Sequence, residues 1–169
     1  MSGARLPLRG LPATTEARLG ELGGRPINLY RTLAAQPELL DAWIEYAWAL
    51  RGRCTTPRTL RELVILRVAQ LRGADYEWAA HVEMARAAGV DLARIERLEH
   101  WREVPGFDER ERAALDCAEA MCEGPVSDQR FAELRALFTD AEIVELTLTV
   151  STYLGLAALL EALRVPSED

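Results

Sequence analysis

Glu77 and His81 stand four residues apart in the stretch DYEWAAHVEM, and His81 is one of only two histidines in the chain. Four residues is one helical turn, so the two side chains share a face with Tyr76 and Met84, within reach of each other. A second acid, Glu62, lies upstream in RELVILRVAQ, where helical spacing aligns it with Ile65, Leu66 and Ala69. A carboxyl held among apolar groups has its pKa raised, and a histidine beside a carboxylate keeps its proton to higher pH. Together they offer proton donors and acceptors near neutrality, which is what general acid and base catalysis requires. The plainer alternative is a solubilising Glu/His pair on an exposed helix face, with Glu62 ending in an ion pair to Arg61 or Arg67.

The elements that must position these groups read as helices throughout, giving an all-α fold. Residues 1–12 carry two prolines and two glycines and read as an N-terminal arm, followed by one helical domain over 13–169. Helical segments begin near Thr14 and Pro26. Another runs from Pro37 to Arg51-Gly52, with Leu39, Leu40, Trp43, Ala47 and Leu50 as its buried stripe. Thr56 before Pro57 signals an N-cap for the helix that carries Glu62 and ends at Gly73. Asp75 is the expected cap of the helix that carries Glu77 and His81. Only Gly73 and Ala74 separate these two helices, which predicts antiparallel packing with Glu62 brought towards the face of Glu77 and His81.

Downstream, a helix is expected from Asp91 to about Arg102, and further starts at Asp108 with Glu111, at Ser127, and at Thr139 with Glu142. The segment VELTLTVST alternates with period two, as a strand would. Nothing else in the chain alternates over a comparable length, and a lone strand cannot satisfy its backbone, so helix is expected from Asp140 to about Arg164. Glu145 and Glu161 within that apolar stretch favour a core or interface helix over a membrane span.

Composition narrows the function classes. The 169 residues, 49% hydrophobic and 28% charged, suit one soluble domain. A net charge of −7 argues against a nucleic-acid partner, and nothing points to a membrane surface. No secretory signal is visible, so a cytoplasmic location is expected. The three cysteines, Cys54, Cys117 and Cys122, spell neither a zinc site nor a CxxC pair, and no disulfide or metal centre is expected. His100 reads as a surface residue.

The stretch RELVILRVAQLRGADYEWAAHVEMARAAGV, followed later by TYLGLAALLEALRV, resembles the carboxymuconolactone decarboxylase and alkylhydroperoxidase D superfamily, over about residues 20–165. In its peroxidase branch the signature is E-x11-C-x-x-C-x3-H. Laid on this chain, Glu62 takes the glutamate place and His81 the histidine place, while the cysteine places fall on Ala74 and Glu77. Peroxide reduction needs one thiolate to attack oxygen and a second thiol to resolve the sulfenic acid, and both are missing. The decarboxylase branch also lacks the CxxC and carries E-x-x-x-H, as Glu77 and His81 do.

The resemblance therefore implies a helical bundle of the alkylhydroperoxidase D type and a decarboxylase-type lyase without cofactor. Its substrate would be a small carboxylated lactone or related acid that loses carbon dioxide through a dienolate-like intermediate. His81 would shuttle the proton, Glu77 would orient it or act as a second acid, and Glu62 would be a further acid or support the histidine. Tyr76 could hydrogen-bond an oxyanion, although packing is the weightier reading for a tyrosine in a first turn. Trp78 and Met84, with Trp43 and Trp48, could line an apolar pocket, and Arg67 or Arg72 could attract the carboxylate; plain core and paired arginines are the commoner outcomes. The resemblance also implies a homo-oligomer, a trimer or hexamer, with sites close to subunit contacts. The alternative is a thiol-free relative of the peroxidases that binds a ligand or scaffolds partners without turnover.

Overall fold

The computed structural model describes residues 3–168, and the described residues form helices and no strands. In order these are α1 (Ala13–Glu21), α2 (Asn28–Leu33), α3 (Pro37–Gly52), α4 (Arg58–Arg72), α5 (Asp75–Ala88), α6 (Leu92–Glu96), α7 (Glu109–Glu123), α8 (Asp128–Leu137) and α9 (Asp140–Leu163). They cluster into two compact units, residues 1–53 with 158–169, and residues 54–157.

In the first unit α3 buries Leu40 and Ile44, while Leu39, expected in the buried stripe, is 66% exposed. The four-residue step from Leu40 to Ile44 defines the inward face, and Leu39 lies a hundred degrees off it. Trp48 donates from Nε1 to the Leu22 carbonyl at 3.0 Å and stacks obliquely on Tyr30. A Cβ on Gly24 would come within 2.9 Å of the Trp48 ring, so only glycine fits that close approach.

The second unit is organised around α4. Leu60, Val64 and Val68 on one side join Ala114, Cys117 and Ala118 of α7, Leu134 of α8 and Ile143, Leu146 and Val150 of α9. Leu63 and Leu66 on another side join Ala85, Val90, Ile95, Leu98, Trp101, Phe107 and Leu115. A helix apolar on several faces must be sheathed on all of them. That is why Glu62 has no route to solvent.

Several end signals operate as the sequence suggests. Asp108 and Glu111 form a reciprocal capping box, Ser127 caps α8, and the Thr139 and Glu142 side chains each bond the other's backbone N–H. Two others do not. Ala74, not Asp75, is the residue before α5, and Asp75 lies in the first turn, where its charge favours the helix N-terminus. Thr56 does not cap α4 either. Its N–H and hydroxyl, with those of Thr55, all donate to the Glu145 carboxylate at 2.8–3.1 Å, and Arg61 donates to its carbonyl and, at 3.1 Å, to its hydroxyl. Burial alone would raise the Glu145 pKa, but these hydrogen bonds outweigh it and bring it below the usual value.

The segment before α4 is thus pinned from α9. Glu145→Ala is expected to destabilise the protein by about 2 kcal/mol, the scale of losing hydrogen bonds to a charged group. Because the folded pKa is depressed, this contribution is present at neutral pH and is lost as pH falls through that value. Urea melts at pH 7 and pH 3 check it: the gap between wild type and variant should shrink in acid.

The alternating segment is helical. Thr147, Thr149, Ser151 and Thr152 turn their hydroxyls back onto carbonyls four residues earlier at 2.7–2.8 Å, so the hydroxyls of this stretch are satisfied within the helix. By length and composition α9 could also cross a membrane, but Ile143, Leu146 and Val150 are spent on the core described above. The expected helix from Asp91 to Arg102 breaks after Glu96 into a 3-10 turn at Leu98–His100. Ile95, Leu98 and Trp101 are all buried at steps of three, the repeat that a 3-10 turn stacks on one side.

Candidate functional site

The α4–α5 turn sets the site. Gly73 adopts a left-handed conformation with φ 60°, and the Gly73 and Ala74 N–H groups return to the carbonyls of Gln70 and Ala69 at 3.2 and 2.9 Å. This glycine-centred C-cap reverses the chain in the shortest distance and lays α5 back along α4. The inner face of α5 is then Glu77, His81 and Ala85, all buried.

Within the pair, His81 Nδ1 meets Glu62 Oε2 at 2.7 Å, with Glu62 0% and His81 5% exposed. The other oxygen, Glu62 Oε1, is in ion-pair contact with Arg58 one turn earlier on α4. Burial pushes the Glu62 carboxyl up, but hydrogen bonding and charge from His81 and Arg58 together outweigh it, leaving the pKa below the usual value. Glu62 is therefore a carboxylate at neutral pH. An ionised carboxylate can only accept, so the hydrogen lies on Nδ1 and Nε2 is left to take or give a proton. No described residue bonds Nε2. The Tyr153 ring of α9 stands edge-on to the imidazole at 4.8 Å between centroids and fixes its plane.

Glu77 behaves differently from the expectation that it touches the imidazole. It is 2% exposed, neither of its oxygens has a hydrogen-bond partner among the described residues, and His81 is bonded to Glu62 instead. Helical spacing places the two backbones correctly, but Glu62 offers the imidazole a shorter, charge-assisted bond. Burial with nothing to offset it raises the Glu77 pKa to about 8. Glu77 is consequently a neutral acid at pH 7, one turn along α5 from His81, or about 6 Å of helix rise. A buried carboxyl with no partner costs stability, and such costs concentrate at functional sites.

The remaining expected residues fall in different places. Trp78 packs against the core cluster of Leu63, Leu66 and Ala85. Tyr76 and Met84 are half-buried on α5. Arg67 is tied to Glu119, donating from Nε at 2.6 Å, and to Gln70 at 3.0 Å, so it is an ion-paired arginine of the α4–α7 contact. Glu119 also accepts from Trp101 Nε1 at 2.8 Å and from Arg102. Arg58 and Tyr153 escaped the sequence reading. The i,i+4 spacing of Arg58 and Glu62 was a usable signal; nothing local marks Tyr153. The cysteines are free, and burial raises the pKa of each thiol. Among the described residues no group of three or more His, Cys, Asp or Glu side chains is arranged to hold a metal ion.

Chemically, the arrangement is an imidazole oriented on one side by a carboxylate and free on the other, next to a neutral acid. Such a pair can remove a proton from carbon and neutralise the oxyanion that results.

Comparison with known proteins places the site in context. The sequence profile of the carboxymuconolactone decarboxylase family matches residues 37–120, which include Arg58, Glu62, Glu77 and His81. The uncharacterized protein YdfG of Bacillus subtilis strain 168 is 31% identical over 97 residues, covering 56% of this chain and 66% of that protein, just under two thirds of its length. The crystal structure of ATU0492, a protein of unknown function from Agrobacterium tumefaciens, superposes with a TM-score of 0.71 at 27% identity, over 80% of this chain and 94% of its own. An alkylhydroperoxidase AhpD core structure, an uncharacterized peroxidase-related protein from Ralstonia eutropha JMP134, superposes with a TM-score of 0.82 at 22% identity, over 100% of this chain and 94% of its own.

Proposed function

The chain belongs to the carboxymuconolactone decarboxylase and alkylhydroperoxidase D-like superfamily, and from that premise we propose that it is a thiol-free acid–base enzyme, a lyase or isomerase acting in the cytoplasm on a small carboxylated lactone or related acid. The observation that carries this reading is Glu77, a buried carboxyl without a partner, held one turn from an imidazole that Glu62 orients.

In the proposed reaction the substrate lies between His81 Nε2 and the Glu77 carboxyl. For proton transfer, Nε2 takes a proton from the carbon next to a carbonyl and the electron pair moves onto the carbonyl oxygen. Glu77 then supplies the hydrogen bond or proton that this oxygen needs. For decarboxylation, His81 enters carrying a proton on Nε2; the bond to the departing carboxylate breaks, its electron pair enters the same enolate, and Nε2 gives its proton to carbon and is reprotonated from water. The ionised Glu62 stabilises the imidazolium in either course, as an orienting carboxylate does. The reading calls for no cofactor. It includes assembly as a homo-oligomer, a trimer or hexamer, supported by the exposed apolar side chains of Val144 and Leu148 on α9.

Turnover should survive removal of every thiol. The triple variant Cys54→Ser, Cys117→Ser, Cys122→Ser is expected to retain wild-type kcat/KM within about threefold, well inside the tenfold that 1.4 kcal/mol represents. The assay uses carboxymuconolactone and a panel of small lactones and β-keto acids, with peroxide reduction by a dithiol donor expected to be absent. Peroxide turnover lost in the triple variant would overturn the thiol-free reading.

A further inference from the structure

We propose that Arg58 is the specificity-determining residue of this site, the group that holds a retained carboxylate of the substrate. The proposal rests on the acid–base reading above and adds to it the class of compound the site accepts.

Three observations converge on Arg58. Its only described partner is Glu62, which it contacts through one terminal nitrogen, so several of its five donors are uncommitted. Its side chain is 28% exposed while Glu62 is 0% exposed, which makes it the part of the cluster that a solute reaches first. It also occupies the first position of α4, whose first turn holds no acid. A cation there gains nothing from the helix dipole, and an anion bound to it would. Of the two arginines that the sequence offers for this task, Arg67 is already spent on Glu119 and Arg72 lies at the opposite end of α4.

The electrostatics around the cluster agree with an anionic ligand. With Glu62 ionised and Glu77 neutral below about pH 8, Arg58 contacts one carboxylate, which it shares with His81, and has the Arg61 guanidinium as a like-charged neighbour. Glu62 keeps its bond to His81 when a ligand carboxylate takes up the free donors of Arg58. The catalytic geometry is thus undisturbed by binding.

The position also restricts which carboxylate Arg58 can hold. Loss of carbon dioxide moves negative charge from the carboxylate into the carbon framework, and a guanidinium on that carboxylate would stabilise the charge where it starts. Binding energy spent on the ground state raises the barrier. The carboxylate on Arg58 is therefore one that the reaction retains, and the reacting carbon lies further along, between His81 and Glu77. The substrate class is a small acid with an anchoring carboxylate at one end and a carbonyl or second carboxylate at the other.

The test compares small acids with their uncharged amides: benzoate with benzamide, levulinate with levulinamide, and 2-furoate with 2-furamide, by ligand-observed NMR at pH 7. Wild-type protein is expected to bind the acids at least about tenfold more tightly than the amides, the scale of one charge-assisted bidentate contact. Arg58→Gln should reduce that ratio to about one with little change for the amides, and Arg58→Lys should keep part of the preference, showing that a fold change is not responsible. No preference in wild type, or one that survives Arg58→Gln, overturns the proposal. His81→Asn separates the two readings: it should keep the preference for acids while losing turnover. A preference intact in wild-type protein that turns over no substrate of the panel would leave Arg58 standing and remove the proposed reaction.

Discussion

Glu77→Gln is expected to make the protein more stable and less active at once. The folded-state pKa of Glu77 is raised to about 8, against an ordinary value of 4.5. Between those two values the native state holds a proton that the unfolded chain has released, so stability falls as pH rises through the window and the penalty is complete above about pH 8. At pH 7 the accumulated cost is on the order of 3 kcal/mol, at 1.36 kcal/mol for each pH unit. Glutamine keeps the shape of the neutral acid and never ionises, so it removes that cost. Thermal melts of the two proteins should coincide near pH 4.5 and separate progressively towards pH 8, by roughly 2–4 °C for each kcal/mol in a chain of this size. Parallel pH dependences would mean that Glu77 is not a buried neutral acid. The same substitution removes the proton donor, so turnover should fall about a hundredfold. The alkaline limb near pH 8, where wild type loses activity as Glu77 ionises, should vanish with it.

His81→Gln is the second large expectation, a loss of about 10²–10⁴ in kcat. Its cost in stability should be small beside this, because glutamine can still donate to Glu62. Glu62→Gln should fall between wild type and the histidine variant. The amide can still accept from Nδ1 but no longer offers a charge to the imidazolium, so kcat should suffer more than KM. Steady-state kinetics of the three proteins on any panel substrate checks the order. Equal kcat in wild type and His81→Gln would remove the proton shuttle.

The parts of this molecule that the sequence exposes are those governed by local chemistry. Capping at Asp108 with Glu111, at Ser127 and at Thr139 with Glu142 needs only neighbours in the chain, and each is present. The turn at Gly73 and Ala74 likewise dictates that α4 and α5 pair, which brings Glu62 to His81. What was hidden depends on partners far away in sequence. Thr56 looks like a cap until Glu145, on α9, takes all its donors. Glu77 looks like the partner of His81 until Glu62 is seen to be the better placed acceptor. Arg67 looks available until Glu119 arrives from α7. Tyr153, which faces the imidazole edge-on, carries no signal in its own neighbourhood. Local spacing gives the faces of helices, whereas the choice among competing partners on those faces is made by packing.

The ionisation of Glu77 bears on the whole account without requiring a known substrate. Carbon-13 NMR of protein labelled at the glutamate carboxyls, with the resonance assigned by its absence in Glu77→Gln, gives that midpoint directly. The expected titration is centred near pH 8. A midpoint between 4 and 5 would mean that the carboxyl is charged and solvated at neutral pH, and the acid–base centre proposed for this protein would not exist.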